Sequence, residues 1–190
     1  LRDVATSDDG AGISNDTCRL TRVRATSSGA ESGGDGGGLY SSGGVVTVRG
    51  LTLDDSAASN GGGVYVSGGT FTADRLKVTN STASSEGGGL YYGSTGGALP
   101  LTGSTFDARS GTVRDVLLNK NTANSGGGLS TEADVTLQDV RFTDNTVTED
   151  GGGAVVRATV TLRDVRCESN DAEQGGGGLF LEGNAALIGV

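Results

Sequence analysis

Residues 137–156 read LQDVRFTDNTVTEDGGGAVV and contain both patterns that decide the fold. The first is the alternation of apolar and polar residues around Val140 and Phe142, which is typical of a half-buried β-strand. The second is a glycine triplet followed by an apolar residue, which recurs along the chain with a nearly fixed period and one longer gap. A period of this kind indicates stacked structural repeats. The triplets begin at Gly36, Gly61, Gly87, Gly126, Gly151 and Gly176.

A second motif, bounded by apolar residues, sets the register of the repeats. Its eight copies define seven turns, of which the first is the shortest and the fourth the longest. No helical pattern fits between the strands, and Gly at the corners lets backbones turn sharply and approach closely. The sequence therefore predicts an all-β fold, a single-stranded right-handed parallel β-helix (β-solenoid) of about seven coils of about 25 residues. The copies are residues 1–4, 20–23, 48–51, 73–76, 113–116, 137–140, 162–165 and 187–190.

The chain is predicted to form one repeat array over residues 1–190. It begins and ends with a copy of the second motif, as expected for a segment of a longer solenoid. The fourth coil, over residues 73–112, is longer than its neighbours and contains an insertion within residues 91–112. Insertions in solenoids form loops on one face, often the binding face, so Tyr91, Tyr92 and Phe106 are the candidate partner-binding residues. The alternative is a tolerated surface excursion.

Charge and composition narrow the classes of function. The net charge is −9, which argues against nucleic acid as a partner. No long, unbroken apolar run occurs, so no transmembrane segment is expected. The chain has no His and no Trp, which disfavours carbohydrate enzymes that use a catalytic His or stack sugars on Trp. We expect no cofactor, with calcium as the one ion to consider.

Polar residues recur five positions after the second motif. Asn121, Asn145 and Asn170 occupy this column in consecutive coils. Stacked Asn amides can donate to one another along a ladder, and Asn tolerates the left-handed backbone of a turn. We therefore expect a structural Asn ladder with no catalytic role.

Short motifs in the repeats resemble those of a known family. Residues 142–145 read FTDN, an FxxN motif, and residues 96–99 and 152–155 read GGAL and GGAV. Together they resemble the repeats of the polymorphic outer-membrane proteins of chlamydiae, over nearly the whole chain. The resemblance implies a β-helix displayed outside the cell that acts in adhesion, and it supplies no catalytic residue.

Three aspartates form the strongest candidate for chemistry. Asp115, Asp139 and Asp164 share a column in consecutive coils, where stacked carboxylates about one strand spacing apart could bind Ca²⁺. Pectate lyases share this fold class, bind Ca²⁺ through acidic residues and use Arg as the base. Arg141 and Arg166 stand two positions after Asp139 and Asp164. The alternative is a solvated face in which each Asp pairs with the nearby Arg.

Modification sites and cysteines are few. Asn15 and Asn80 begin N-glycosylation patterns, which matter only in a eukaryotic secreted protein. Cys18 and Cys167 lie about six coils apart, too far for a disulfide, and Cys167 is expected as a buried thiol.

The sequence favours a non-catalytic structural or adhesive module of an extracellular, surface-displayed protein. Its expected partners are a protein or glycan at the cell surface, or further copies that assemble end to end or laterally. The alternative function is a polysaccharide lyase-like enzyme with a calcium-binding Asp column.

Overall fold

The computed structural model describes residues 2–6, 13–14, 18–30, 34–42, 45–67, 70–93, 99–101 and 116–190. Within these ranges every regular element is a β-strand, so the all-β class is confirmed. The strands are β1 Arg2–Thr6, β2 Ile13–Ser14, β3 Cys18–Ala30, β4 Leu39–Ser41, β5 Val45–Asp54, β6 Ala57–Ala58, β7 Val64–Val66, β8 Thr70–Thr79, β9 Thr82–Ala83, β10 Leu90–Tyr92, β11 Leu99–Leu101, β12 Val116–Asn119, β13 Thr122–Ala123, β14 Leu129–Thr131, β15 Val135–Gln138, β16 Val140–Thr143, β17 Thr146–Val147, β18 Ala154–Val156, β19 Val160–Arg163, β20 Arg166–Glu168, β21 Asp171–Ala172, β22 Leu179–Leu181 and β23 Ala185–Ile188.

Strands from successive turns pair in parallel and form three sheets. Sheet A has twelve strands in two stacks that meet at β3, one ordered β3-β5-β8-β12-β16-β20 and the other β3-β6-β9-β13-β17-β21, with β1 also paired to β3. Sheet B has seven strands, β2-β4-β7-β10-β14-β18-β22, and sheet C has four, β11-β15-β19-β23. Every strand therefore pairs with its counterpart one turn away, which defines a parallel β-solenoid.

The described strands complete about five turns, from Leu39 to Ala172, fewer than the seven expected. The number of turns differs because the strands before Leu39, β1 to β3, and those after Ala172, β22 and β23, each form only part of a turn in the described residues. The predicted register of the first turn is also wrong. It would place Val4 beside Val23, whereas Val4 pairs with Ser28. A four-residue motif is too short to fix a register where no glycine triplet accompanies it.

Three positions that recur in the described turns carry a residue with positive φ. The first lies within the long strands β3, β5 and β8 in the early turns and between sheet C and sheet A at Asp139 and Asp164, the second lies between the two stacks of sheet A, and the third lies before sheet B. The first comprises Arg22, Gly50, Arg75, Asp139, Asp164 and Gly189, the second Asp55, Asn80, Lys120, Asp144 and Ser169, and the third Gly36, Gly61, Gly87, Gly126, Gly151 and Gly176.

The third corner requires glycine for steric reasons beyond its φ. Gly50 and Gly36 both have φ of 69°, yet a Cβ on Gly50 would meet nothing closer than 3.8 Å, whereas one on Gly36 would lie 2.6 Å from the carbonyl oxygen of Leu39. The other triplet glycines lie against the next turn. A Cβ on Gly128 would be 2.5 Å from the carbonyl oxygen of Gly153 and 2.6 Å from Cδ1 of Phe142. The triplet is therefore a corner at which successive backbones approach too closely for a side chain.

Inward side chains form one continuous core along the solenoid. Val140 and Phe142 are buried while Arg141 between them is exposed, as the alternation predicted. Phe142 belongs to a column whose members from Ala25 to Phe142 are all 0% exposed: Ala25, Leu53, Val78, Leu118 and Phe142. Burial of apolar area in these columns supplies the main favourable term in folding.

None of the described residues forms a helix with the length and apolar character needed to cross a membrane.

The glycine corner can be tested with Gly128→Ala and the matched control Gly29→Ala. A methyl group at position 128 would overlap the next turn, and overpacking of this kind costs about 1–3 kcal/mol in the free energy of unfolding. A Cβ on Gly29 would lie 3.8 Å from its nearest atom, so that variant should stay within about 0.5 kcal/mol of wild type. Urea unfolding followed by circular dichroism measures both. Equal stabilities of the two variants would contradict the close-approach argument.

Candidate functional site

The Asn column forms a buried hydrogen-bond ladder. Asn121 Nδ2 donates to Asn145 Oδ1 at 3.1 Å, and Asn145 Nδ2 donates to Asn170 Oδ1 at 2.8 Å. Asn145 Nδ2 also donates to the carbonyl oxygen of Leu118, and its Oδ1 accepts the backbone N–H of Asn121 at 3.0 Å. Asn121 and Asn145 are 0% exposed. These amides therefore use their polar atoms on neighbouring turns, which leaves them no access to a substrate.

Two of the three column aspartates lie at the first corner. Asp139 has φ of 52° and Asp164 has φ of 50°, while Asp115 lies outside the described residues. Arg166 pairs with Glu168 at 2.7 Å, and no ion pair of Asp139 or Asp164 with the nearby Arg is found in the described part of the chain. Within the same residues no group of three His, Cys, Asp or Glu side chains is placed to hold a metal ion. The corner position, which Gly and Arg also occupy, accounts for these aspartates through backbone conformation.

A shallow open depression lies on the outer face of sheet A. Its volume is about 220 Å³, and its lining consists of Val116, Leu117, Asp139 and Arg141. Carboxylate and guanidinium groups thus face solvent side by side at this point.

The outer face of sheet B carries a column of stacked tyrosines. Tyr40, Tyr65 and Tyr91 occupy the central positions of β4, β7 and β10 and pair in register. The ring centroids of Tyr40 and Tyr65 are 5.4 Å apart and those of Tyr65 and Tyr91 are 5.1 Å apart, with interplanar angles of 2° and 7°. Rings stacked on one another at the strand spacing present their edges to solvent. All three are half-buried.

Burial and nearby carboxylates keep the phenols of Tyr65 and Tyr91 protonated. Burial, followed by the negative charge of Asp35, raises the pKa of Tyr65 to about 12. Burial also raises the pKa of Tyr91, with Glu132 and Glu86 as the next contributors. The face therefore combines neutral aromatic rings with surrounding negative charge.

An ion pair crosses the face beyond the tyrosines. Glu86 accepts hydrogen bonds from Arg157 Nη1 at 3.1 and 3.2 Å, although the two residues are 71 positions apart. Ser130, on the rung between them, donates its hydroxyl to Glu86 at 2.7 Å. Arg157 Nε lies 3.6 Å from a carboxylate oxygen of Glu182. This Glu86–Arg157 bridge explains why Ser130 is fully buried even though it continues the outward tyrosine column.

A second polar ladder leads to the bridge along the edge of sheet B. Asp35 accepts two hydrogen bonds from Asn60, from its backbone N–H and from Nδ2, both at 3.0 Å. Asn60 Oδ1 in turn accepts the backbone N–H of Glu86 at 3.2 Å. The ladder holds the backbone of Glu86 next to the tyrosine column.

The predicted partner residues separate in the structure. Tyr92 points into the core and is 0% exposed, so Tyr91 is the one of the pair that faces solvent, from a strand and not from a loop. Most of residues 91–112, with Phe106, lies outside the described residues, as does Asn15. Asn80 is exposed at the second corner and donates to Asp54 at 2.8 Å. Cys167 is a free, partly buried thiol whose pKa burial raises to about 11.

Sequence reasoning missed Tyr40, Tyr65 and the bridge. The tyrosines each follow the apolar residue after a triplet, so the repeat period already places them in one column with Tyr91. No comparable signal connects Glu86 with Arg157, because they lie two turns apart on opposite ends of their strands.

Comparison with protein-family models, curated proteins and solved structures found no match.

The Asn ladder can be tested with Asn145→Ala, which leaves the backbone N–H of Asn121 without its acceptor and removes the amide that donates to the carbonyl oxygen of Leu118 and to Asn170. Buried polar groups left unsatisfied cost about 1–3 kcal/mol, so we expect a loss of that size in the free energy of unfolding. Asn124→Ala is the control, since this exposed amide accepts only a 3.4 Å contact from the Thr148 hydroxyl. Chemical denaturation measures both. If Asn124→Ala destabilises as much as Asn145→Ala, the ladder has no special role.

The tyrosine stack predicts a loss of stability at alkaline pH. The pKa of Tyr65 is raised from 10.0 to about 12 in the folded state, so the unfolded chain loses its proton first. The free energy of unfolding should therefore fall as pH rises from 10 towards 12. Tyr65→Phe should show a smaller fall, measured by denaturation across this pH range. Identical pH dependence in wild type and variant would refute the assignment.

Proposed function

We propose that this chain is a non-catalytic structural and adhesive β-solenoid module of an extracellular, surface-displayed protein. The observation that carries the proposal is the outer face of sheet B. Its tyrosine column lies on short strands whose backbones are hydrogen-bonded on both sides, and the Glu86–Arg157 bridge joins residues that flank these strands. A rigid, regular surface of this kind suits contact with a large partner, because little conformational entropy is lost on binding.

The repeat motifs support the same proposal. The GGA-apolar and FxxN segments resemble those of the polymorphic outer-membrane proteins, in which a β-helix acts in adhesion outside the cell. The proposed partner is accordingly a protein or glycan at a cell surface. Tyr65 and Tyr91 are the residues we assign to that contact, since aromatic side chains are enriched in the centres of interfaces.

One observation favours the lyase-like alternative. Asp139 and Arg141 line the same depression on sheet A, and a carboxylate beside a guanidinium is the pair that calcium-dependent lyases use. Against it, Asp139 stands at a corner that needs positive φ, and Asp and Gly serve there for conformational reasons. Solvent-exposed carboxylates next to a cation also bind Ca²⁺ weakly because the cation neutralises them.

Display on cells tests the adhesive function. The chain is fused to the surface of a non-adherent bacterium, and retention under flow is measured on glycan-coated and matrix-protein-coated surfaces. We expect several-fold greater retention than for undecorated cells on at least one surface. Tyr65→Ala should reduce retention, whereas Thr146→Ala, an exposed change on the other stack of sheet A, should leave it unchanged.

The alternative is measured on the same protein in solution. Purified chain is incubated with polygalacturonate and Ca²⁺, and formation of unsaturated product is followed by absorbance. Calcium-dependent cleavage that disappears in Asp139→Ala would overturn the proposal in favour of a lyase. Absence of retention on every surface would also overturn the adhesive assignment.

A further inference from the structure

We propose that the tyrosine column of sheet B is a site of oxidative cross-linking, at which a haem peroxidase and hydrogen peroxide join Tyr65 to Tyr40 or to Tyr91 as dityrosine. The bond ties two successive turns of the solenoid together covalently. The inference goes beyond the proposed adhesive function and does not depend on it. It is carried by the stacking of the rings, by their partial exposure and by a proton acceptor at the central ring.

The stacking holds each phenol beside the ring with which it reacts. Tyr40, Tyr65 and Tyr91 pair in register on adjacent strands, and their ring centroids are 5.4 and 5.1 Å apart with interplanar angles of 2° and 7°. Two groups held side by side react far faster than the same groups free in solution, because little translational and rotational entropy remains to be lost. Tyr65 stands between the other two rings and so belongs to both reactive pairs.

Partial exposure directs an oxidant to this column. Its three tyrosines are half-buried, whereas Tyr92, the fourth tyrosine of the chain, is 0% exposed in the core. The chain has no Trp, the other side chain that readily gives up a single electron. An oxidant that meets the outer face of sheet B therefore reaches stacked phenols and not Tyr92.

The central phenol has a positioned proton acceptor. The side chain of Tyr65 is hydrogen-bonded to the carboxylate of Asp35, and two hydrogen bonds from Asn60, both at 3.0 Å, hold that carboxylate in place. Burial, followed by the negative charge of Asp35, raises the pKa of Tyr65 to about 12, so the phenol is neutral and its oxidation has to release a proton. Asp35 receives this proton as the electron leaves and passes it to solvent, which makes Tyr65 the ring at which oxidation begins.

The reaction consumes one molecule of hydrogen peroxide for each cross-link. The peroxidase takes one electron and one proton from each of two neighbouring phenols and reduces the peroxide to two molecules of water. The two phenoxyl radicals then join through ring carbons next to their hydroxyl-bearing carbons, which forms one C–C bond. The hydrogen on each joined carbon leaves as a proton while each phenol oxygen takes up a proton, so that both rings become aromatic phenols again.

Peptide mapping tests the proposal on the folded chain. Purified protein is treated with a haem peroxidase and hydrogen peroxide, digested with trypsin, and analysed by mass spectrometry and dityrosine fluorescence. The three column tyrosines fall in three different tryptic peptides, residues 25–49, 50–75 and 78–108. Peptide 50–75 should be found joined to one of the other two in protein that runs as a monomer on a denaturing gel. The yield per molecule should not depend on protein concentration, because the reaction is intramolecular.

Two substitutions of the same kind separate the stacked pairs from tyrosine oxidation in general. Tyr65→Phe keeps a ring in the stack but leaves Tyr40 and Tyr91 two rungs apart, about 10 Å, so intramolecular dityrosine should fall at least about tenfold. Tyr91→Phe removes one tyrosine in the same way but leaves the pair of Tyr40 and Tyr65, which should still join. Peptide 78–108 should then stay unlinked although it contains Tyr92. Thermal melts establish that each variant is folded.

Asp35→Asn tests the proton acceptor, because it keeps the size of the side chain and removes the base. The initial rate of dityrosine formation should fall several-fold. Asp171→Asn is the control, since this exposed carboxylate lies on the second stack of sheet A and should leave the rate unchanged. Equal rates in Asp35→Asn and wild type would refute the role of Asp35.

The cross-link should also change stability. Oxidised wild type should unfold at a higher urea concentration than oxidised Tyr65→Phe, because a bond between turns restricts the unfolded chain. A wild type that forms no dityrosine, dityrosine found only between molecules, or an equal intramolecular yield in Tyr65→Phe and wild type would overturn the proposal. None of these measurements involves the retention of cells, so the cross-linking site and the adhesive function stand or fall separately.

Discussion

The close approach of successive backbones at the glycine triplet is the constraint on which the rest of this structure depends. There the carbonyl oxygen of one turn occupies the space that a Cβ of the previous turn would fill, as at Gly128 and Gly153. Because no side chain separates the turns at this corner, the chain keeps there the strand spacing that the hydrogen bonds of the parallel sheets set. Equal spacing then places equivalent residues above one another in every sheet.

Columns are the direct result of that spacing, and they give the solenoid its chemistry. Asn residues that recur in successive turns form a continuous ladder of side-chain hydrogen bonds, as the amides of Asn121, Asn145 and Asn170 show. The same stacking brings the phenol rings of successive turns face to face on the outer side of sheet B. Carboxylates such as Asp139 also recur in a column, at corners where φ is positive. The backbone conformation of the corner accounts for their recurrence without ligand binding.

Much of this arrangement could be predicted from the sequence, because the period itself carries the information. The sheet order, the alternation around Phe142 and the pairing of Leu39 with Val64 all follow from counting positions between triplets. The register of the first turn was not predicted because its motif has no accompanying glycine triplet. Where no triplet fixes the alignment of two turns, the register depends on side-chain contacts that a four-residue motif does not specify. The Glu86–Arg157 bridge escaped for a different reason. Side-chain reach across two rungs depends on the small Ser130 between them, and periodicity describes only nearest neighbours.

That bridge has a consequence for how such a protein can change over evolutionary time. Repeat proteins lengthen and shorten by whole-turn duplication or deletion, which preserves every contact between adjacent turns. Glu86 and Arg157, however, require one intervening turn, and that turn must carry a small residue at the position of Ser130. A duplicated turn placed between them would separate the pair by one more strand spacing. A turn inserted between Glu86 and Arg157 would therefore break the bridge, whereas a turn added elsewhere in the array would leave it intact.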